Sequence, residues 1–289
     1  MVGAQVPSGF QALPEVERLL YGEASTGAIQ PRLERVELDL YGKAQTGALT
    51  LRVEELARLV VTGDPRQVSI IMQLNAMEWM IYEEVKPDTA VIERVGAIER
   101  DLYGEDRKDL SLGERLDALL RDLWPGGKLS FGEAEVAEGT VIRIALLTKI
   151  DSSNMKIGDE VRYAVVDSVM RDNMVLIPAG ARGVGRVTSV RASSRLGRDG
   201  NVEVNWGALR AMDGSEVVVR VGQRAEERTA SVELATGAAL AGVILLGPIG
   251  LAAGALVTGQ DDVAPIGTQL FVEASEAADV KALSLVPLH

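Results

Sequence analysis

A motif with a step of about 20 residues recurs along the first 125 residues of the chain. Each copy has a glutamate four residues before a tyrosine, and an arginine with an aliphatic neighbour follows downstream. The glutamate and tyrosine pairs are Glu17/Tyr21, Glu37/Tyr41, Glu78/Tyr82 and Glu99/Tyr103, and the arginines are Arg32, Arg52, Arg94 and Arg115. A repeat of this length predicts a stack of similar small units.

Each copy also has the pattern of one short amphipathic helix. Val16, Leu19 and Leu20 follow the i, i+3, i+4 spacing of a helix face. Three of the four tyrosines precede a glycine, which supplies the left-handed residue that ends a helix. Helices of about three turns are marginal alone, so we expect them to stack. The tyrosines and arginines would then pack and form salt bridges within the stack, or the tyrosines would line a concave ligand surface.

Turn residues divide the chain into segments. Gly63-Asp64-Pro65 and Pro87-Asp88 interrupt the helical pattern, and Trp124-Pro125-Gly126-Gly127 ends it. The predicted segments are a flexible N-terminus (1–11), a first pair of helices (12–62), a second pair (66–125), a linker (126–134) and a β domain (135–289).

The second half has the pattern of a β domain. From Glu135 onward, short runs of β-branched residues alternate with turn signals at intervals of about ten residues, which predicts a sandwich or barrel. Asp199-Gly200 and Asp213-Gly214 are typical hairpin turns. The expected fold class is therefore α+β with several domains: an all-α array of short helices, then an antiparallel β-barrel or sandwich.

The segment 234–257 contains no charged residue. Its length suits a membrane crossing of about 20 residues, but Pro248 near its middle favours an inserted hairpin of two short helices. Residues expected to shape the hairpin and let its helices approach closely are Gly237, Gly242, Gly247, Pro248, Gly250 and Gly254. The segment could pack on the β domain or on a neighbouring subunit, enter a membrane or form part of a pore, or remain a disordered loop.

Composition argues against several kinds of chemistry. The formal net charge of -12 disfavours nucleic-acid binding. The absence of cysteine excludes disulfides and thiolate metal sites, and His289 at the last position is the only histidine, which excludes histidine-based triads. No phosphate-binding or regular calcium-loop pattern occurs. We therefore expect no enzymatic activity, no cofactor and no metal.

One stretch of this acidic chain is basic, and its residues are Arg182, Arg186, Arg191, Arg195 and Arg198. On a strand, Arg182 and Arg186 would share a face. The stretch could be an exposed hairpin that pairs with acidic neighbours. It could also contact an acidic subunit, anionic lipid or a cell-wall polymer.

The order of short motifs in the β domain resembles the C-terminal barrel of TrbI-type conjugation scaffolds, the outer-membrane core components of type IV secretion channels. The matching motifs are Gly139-Thr140-Val141-Ile142, Ala145 to Ser152, Leu176 to Gly180, Val204-Asn205-Trp206 and Asp213-Gly214. The resemblance implies a β-barrel interrupted by an apolar, pore-lining helical pair at 234–257. The helical repeats depart from the family, which has an inner-membrane span and a proline-rich linker before its barrel.

These features together predict a non-catalytic structural or scaffolding protein of the bacterial cell envelope that self-assembles into a ring, tube or filament. Its expected partners are copies of itself and an envelope or membrane component. The alternatives are a channel or secretion-complex component that inserts 234–257 into a membrane, and a soluble module that binds glycan or peptide. The expected location is the cell envelope or the exterior after removal of a signal peptide, with the cytoplasm as the other possibility.

Overall fold

The structure is a computed structural model that describes residues 9–64, 67–124, 126, 128–191, 201–236, 244–245 and 263–286. It combines helices and sheets in the order that the sequence predicts. The helices of the N-terminal part, called here the helical array, are α1 (Ala12–Tyr21), α2 (Ile29–Tyr41), α3 (Leu49–Ala57), α4 (Ile70–Tyr82), α5 (Val91–Tyr103) and α6 (Leu112–Leu123). A short 3-10 turn, Gly9–Gln11, precedes α1, and a π-helical turn, Arg58–Thr62, continues α3.

Each segment predicted to hold a pair of helices holds three. The third helix of each group, α3 or α6, carries the arginine of the motif but lacks its glutamate and tyrosine. Ala57 and Val61 stand at those two positions after Arg52, and Leu120 and Trp124 stand there after Arg115. The complete motif therefore marks the first two helices of each group. It misses the third helix, which carries only the arginine.

The array has its own apolar core. Leu33, Val36 and Leu40 of α2 are fully buried, and the corresponding faces of the other helices join them in one cluster. The predicted glycine stops are present, since Gly22, Gly42 and Gly104 adopt left-handed conformations and their N–H groups bond to the preceding helical turn.

The second part contains a closed six-stranded antiparallel barrel, as the sequence predicts for this half of the chain. The strands of the whole domain are β1 (Ser130–Val136), β2 (Val141–Leu146), β3 (Ile150–Asp151), β4 (Glu160–Val165), β5 (Val169–Arg171), β6 (Met174–Ile177), β7 (Arg182–Arg191), β8 (Asn201–Arg210), β9 (Glu216–Arg220), β10 (Ile244–Leu245), β11 (Val263–Ala264), β12 (Gln269–Ala274) and β13 (Ala278–Ser284). The barrel runs β8-β7-β4-β2-β12-β9 and closes by pairing of β9 with β8. A second sheet, β1-β13-β6-β5, packs on it and shares its core.

A buried aromatic pair lies in the barrel core. Tyr163 on β4 meets Trp206 on β8 edge to face, with ring centroids 5.4 Å apart, and its hydroxyl donates to the Trp206 carbonyl at 2.7 Å. The ring lies directly against Gly183 on the neighbouring strand, where a Cβ would come within 2.2 Å of Tyr163. Only glycine fits at that position of β7.

A seventh α-helix among the described residues, α7 (Gln223–Thr236), follows β9 and lies on β2 and β12. The predicted apolar hairpin at 234–257 lies mostly outside the described residues, and so do all six of its predicted shaping residues: Gly237, Gly242, Gly247, Pro248, Gly250 and Gly254. The described parts of the segment are the last turn of α7 and the strand β10, which pairs with β8 in parallel. Within the described ranges, no helix combines the length and the hydropathy needed to cross a membrane.

Candidate functional site

The glutamates and arginines of the motif join successive helices of the array. Arg52 on α3 donates from Nε and Nη2 to the two carboxylate oxygens of Glu37 on α2, at 2.8 and 2.6 Å. The same carboxylate accepts the N–H of Gln45 in the loop between the helices at 2.8 Å. One side chain therefore fixes both the next helix and the loop that leads to it.

The same arrangement occurs four times among the described helices. It links α1 to α2, α2 to α3, α4 to α5 and α5 to α6. The four carboxylate and guanidinium pairs are Glu17–Arg32, Glu37–Arg52, Glu78–Arg94 and Glu99–Arg115, and each glutamate also accepts the backbone N–H eight residues later. We call each such unit a Glu–Arg staple.

Burial and hydrogen bonding act in opposite directions on the carboxylates of the first two staples, Glu17 and Glu37. Burial raises the pKa of Glu17 and of Glu37, because it disfavours the charged form. The hydrogen bonds from the partner guanidinium and from the loop N–H outweigh burial, so both pKa values lie below the usual range. These carboxylates therefore stay ionised and paired at neutral pH.

The third staple is the most deeply buried and is connected to the barrel domain. The side chains of Arg94 and Glu78 are only 1% and 2% exposed. Arg94 Nη2 also donates to the amide oxygen of Asn75 at 2.8 Å, and Asn75 Nδ2 donates to the carbonyl of Met212 at 3.1 Å. Met212 lies in the turn between β8 and β9, so this chain of hydrogen bonds leads from the staple into the barrel domain.

Apolar contacts surround this chain of hydrogen bonds. Met72 and Ala76 of α4 form a buried cluster with Val175, Met212 and Leu283 of the β domain. Two more hydrogen bonds cross the same interface. The Trp79 indole N–H donates to the Ser168 hydroxyl at 2.8 Å, and the Val85 N–H donates to the Ala179 carbonyl at 2.9 Å.

Gly180 makes the closest approach in this interface. It has φ +81°, and a Cβ there would lie 2.2 Å from the carbonyl oxygen of Val85. The turn before β7 therefore fits against the array only because this residue lacks a side chain. Proline and glycine at Pro178-Ala179-Gly180 are typical of a tight turn, but they do not indicate what the turn touches.

Sequence reasoning missed the interface on α4. The helix reads IIMQLNAMEWMIY and is apolar on most of its circumference, which is typical of a helix buried on more than one side. That signal, together with Asn75 in the middle of the helix, could have identified α4 as the helix that contacts a second domain.

The four motif tyrosines are half-buried and lie in two kinds of environment. The hydroxyl groups of Tyr21, Tyr82 and Tyr103 donate to Asp39, Asp101 and Asp122 at 2.5–2.6 Å. A cation of the same chain lies over each of these rings: Arg35, Lys86 and Arg107 respectively. Tyr41 has neither partner within the described residues. It lines a cavity of about 430 Å³ between α2 and α3.

The basic stretch is divided by the structure. Arg182 donates to Asp88 of the array at 2.7 Å, and Arg186 donates to Glu160 of the neighbouring strand at 2.9 Å. Both project from the outer face of β7, while Arg191 is exposed at its end. Arg195 and Arg198 lie outside the described residues. Arg182 and Arg186 thus both have acidic partners within the chain, and the partner of Arg182 lies in the array.

A larger cavity, of about 580 Å³, lies between α7 and the strands β2 and β5. Arg143, Arg224 and Arg228 line it together with Asp167, so its lining carries more positive than negative charge. The Nε atom of Arg143 is buried without a hydrogen-bond partner. In the part of the chain that the structure describes, no cluster of three or more histidine, cysteine or acidic residues is arranged to hold a metal.

Comparisons with known proteins add little to this geometry. No known protein family matches the sequence, and no curated protein is significantly similar to it. A solved structure, ComB10 of the Com type IV secretion system of Helicobacter pylori, overlaps 50% of this chain and 88% of its own, with 16% sequence identity and a TM-score of 0.28. An overlap this weak carries no argument about fold or function.

Proposed function

We propose that this protein is a non-catalytic scaffold of the bacterial cell envelope that presents its helical array at a fixed angle to a β-barrel and assembles into a larger structure. The interface between the array and the barrel is the observation that carries this proposal. A buried apolar cluster, three hydrogen bonds and one ion pair, Arg182–Asp88, cross it. Such an interface suits a protein whose role is to hold other components at defined positions.

The chemistry of the repeats supports the same proposal. The glutamates and arginines of the motif stabilise the array, because they pair with one another in the staples. The array also presents apolar side chains to solvent, since Leu38 and Leu51 are 51% and 65% exposed. In the proposed assembly, these two leucines would lie in the contact with another protein molecule.

Self-assembly is tested by light scattering coupled to size-exclusion chromatography over a wide range of protein concentration. We expect the molar mass to rise above that of the monomer, and we expect Leu38→Ser with Leu51→Ser to reduce the rise. A mass that remains monomeric at every concentration would contradict the assembly part of the proposal. Fractionation of cells that express the tagged protein tests the envelope location, which a purely cytosolic pool would contradict.

The second candidate is a component of a secretion channel. The uncharged segment 234–257 and the sequence resemblance to TrbI-type barrels favour it. Flotation with liposomes separates the two candidates, because only the channel function requires this segment for membrane binding. Binding that is lost when 237–257 is replaced by a polar linker would favour the channel over the scaffold.

A further inference from the structure

Tyr41 differs from the other three motif tyrosines in the charge that faces its ring. In three copies a cation of the same chain lies over the ring, at 4.4 Å from the Tyr21 centroid, 4.8 Å from that of Tyr82 and 3.7 Å from that of Tyr103. Contacts of this kind are attractive because the face of an aromatic ring is negative. The array therefore uses a cation on the tyrosine as a regular part of the repeat.

The sequence explains why no described residue places a cation on Tyr41. The cation follows the tyrosine by 14 residues in the first copy and by four residues in the last two. After Tyr41, these two positions hold Glu55 and Gln45, a carboxylate and a neutral amide. The aspartate that accepts the tyrosine hydroxyl elsewhere is replaced by Leu59.

The space left beside the ring is the cavity of about 430 Å³, called here the Tyr41 pocket. Glu37, Arg52 and Glu55 are the charged residues of its lining, which gives two negative charges against one positive charge. Glu37 and Arg52 pair with each other, so the charge that remains is that of Glu55. Leu51, which is 65% exposed, forms an apolar rim.

Arg58 does not fill the pocket. It pairs with Glu55 at the surface and with Asp64, and it is not among the residues that line the cavity. The side chains of Arg58 and Glu55 are 39% and 58% exposed, and ion pairs this open to water are weak enough to rearrange when a better partner arrives.

We propose that the Tyr41 pocket binds the side chain of an arginine or lysine presented by a partner polypeptide. The charged head would lie on the Tyr41 ring near Glu55, where Arg35 lies on Tyr21 in the first copy. The aliphatic stem would pack on Leu51. The proposal goes beyond the scaffold function and does not depend on self-assembly, because it rests on the Tyr41 ring, the charge of Glu55 and the open pocket beside them.

The electrostatics of the pocket agree with a cationic ligand. The pKa of Tyr41 is raised, first by burial and then by the negative charges of Glu55 and Glu37, with Arg58 acting in the opposite direction. A guanidinium or ammonium group would relieve this negative field, whereas an anionic ligand would add to it.

The test uses full-length protein with 13C-labelled tyrosine rings, observed by NMR. The probe is a blocked Gly-Arg-Gly tripeptide, and the control replaces its arginine by citrulline, which has the same shape but no charge. We expect the arginine peptide to shift the Tyr41 signals in a saturable way, while Tyr21, Tyr82 and Tyr103, whose rings are already covered, stay in place. Binding of the citrulline peptide should be about tenfold weaker.

Two substitutions at neighbouring exposed positions complete the test. Glu55→Arg places a guanidinium where Arg35 stands in the first copy and should abolish the response. Glu54→Arg makes the same change of charge one residue away and should keep it. The proposal is overturned if the Tyr41 signals do not move, if both peptides shift them equally, if all four motif tyrosines respond alike, or if Glu54→Arg abolishes the response as fully as Glu55→Arg does.

Discussion

At the scale of single residues, the motif glutamate is the centre of each repeat. Its spacing from the tyrosine predicts that both lie on one helix, and the structure agrees. Its partner could not be predicted with the same certainty, because Arg32 follows Glu17 by 15 residues and reaches it only if the loop returns the chain along α1. The carboxylate itself fixes that loop by accepting the Ser25 N–H. The contact between Glu17 and Arg32 therefore depends on a loop that the same glutamate fixes.

Breaking the most buried staple should be costly. Glu78→Gln leaves the Arg94 guanidinium buried without a compensating charge, so we expect the free energy of unfolding to fall by about 3 kcal/mol. Glu15→Gln removes the partner of Arg18 in an exposed pair and should cost less than about 1 kcal/mol. Denaturant titration of both variants measures the two costs. Equal, small losses would show that the buried pair does not stabilise the array.

The staples also predict how stability depends on pH. The pKa of Glu17 is lower in the folded protein than in the unfolded chain, so its contribution is complete above the unfolded value of about 4.3. The contribution is lost as pH falls through the lower, folded value. The stability difference between wild type and Glu17→Gln should therefore be largest near neutral pH and shrink as the pH falls below the unfolded value. Denaturant titrations at several pH values measure it, and a difference that does not change with pH would contradict the assignment.

At the scale of elements, the sequence predicts most strands and the first helices of each group, while two features escape it. The motif is out of register at the end of α3, where Gly63 follows Val61 by two residues and Gly42 follows Tyr41 by one. The π-helical turn Arg58–Thr62 accommodates this extra residue. The helix α7 escapes because its buried side chains among those that the structure describes, Ala225 and Thr229, are too small to make an apolar stripe.

The helix α7 covers the edge of β12 beyond its short pairing with β9. β9 pairs with β12 only at Glu273 and Ala274, which leaves the outward N–H of Phe271 without a strand partner. The Thr229 hydroxyl accepts this N–H at 3.2 Å and donates to the Ala225 carbonyl at 2.9 Å. A helix thus replaces a strand at this part of the edge.

Replacing Thr229 by valine keeps the shape of the side chain and removes the acceptor. We expect Thr229→Val to leave the Phe271 N–H unsatisfied and to lower stability by about 1–3 kcal/mol. Hydrogen exchange should become faster at the Phe271 amide. Ser231→Ala removes a hydroxyl that donates to the Arg228 carbonyl of its own helix, so exchange at Phe271 should not change. Unchanged exchange in Thr229→Val would mean that α7 does not protect this edge.

At the scale of the whole molecule, the central claim is that the array and the barrel domain are held in one fixed arrangement. The sequence predicts both parts, but it does not predict their contact, since Asn75, Met212 and Gly180 are far apart in the chain and carry no shared pattern.

Gly180 offers a way to disturb this contact alone. Gly180→Ala places a methyl group against the Val85 carbonyl, whereas Gly214, at φ +83° close to the +81° of Gly180, has no atom within 4 Å of its Cβ position. Gly214→Ala therefore reproduces the backbone strain without the clash.

The most direct measurement is the distance distribution between one spin label on each part, recorded by pulsed electron paramagnetic resonance. The chain contains no cysteine, so two labels can be attached after Lys43→Cys in the array and Lys156→Cys in the barrel domain, both at exposed positions. The account predicts a single narrow distance in the wild-type background and with Gly214→Ala, and a broad distribution with Gly180→Ala. A broad or multiply peaked distribution in the wild-type background would contradict it.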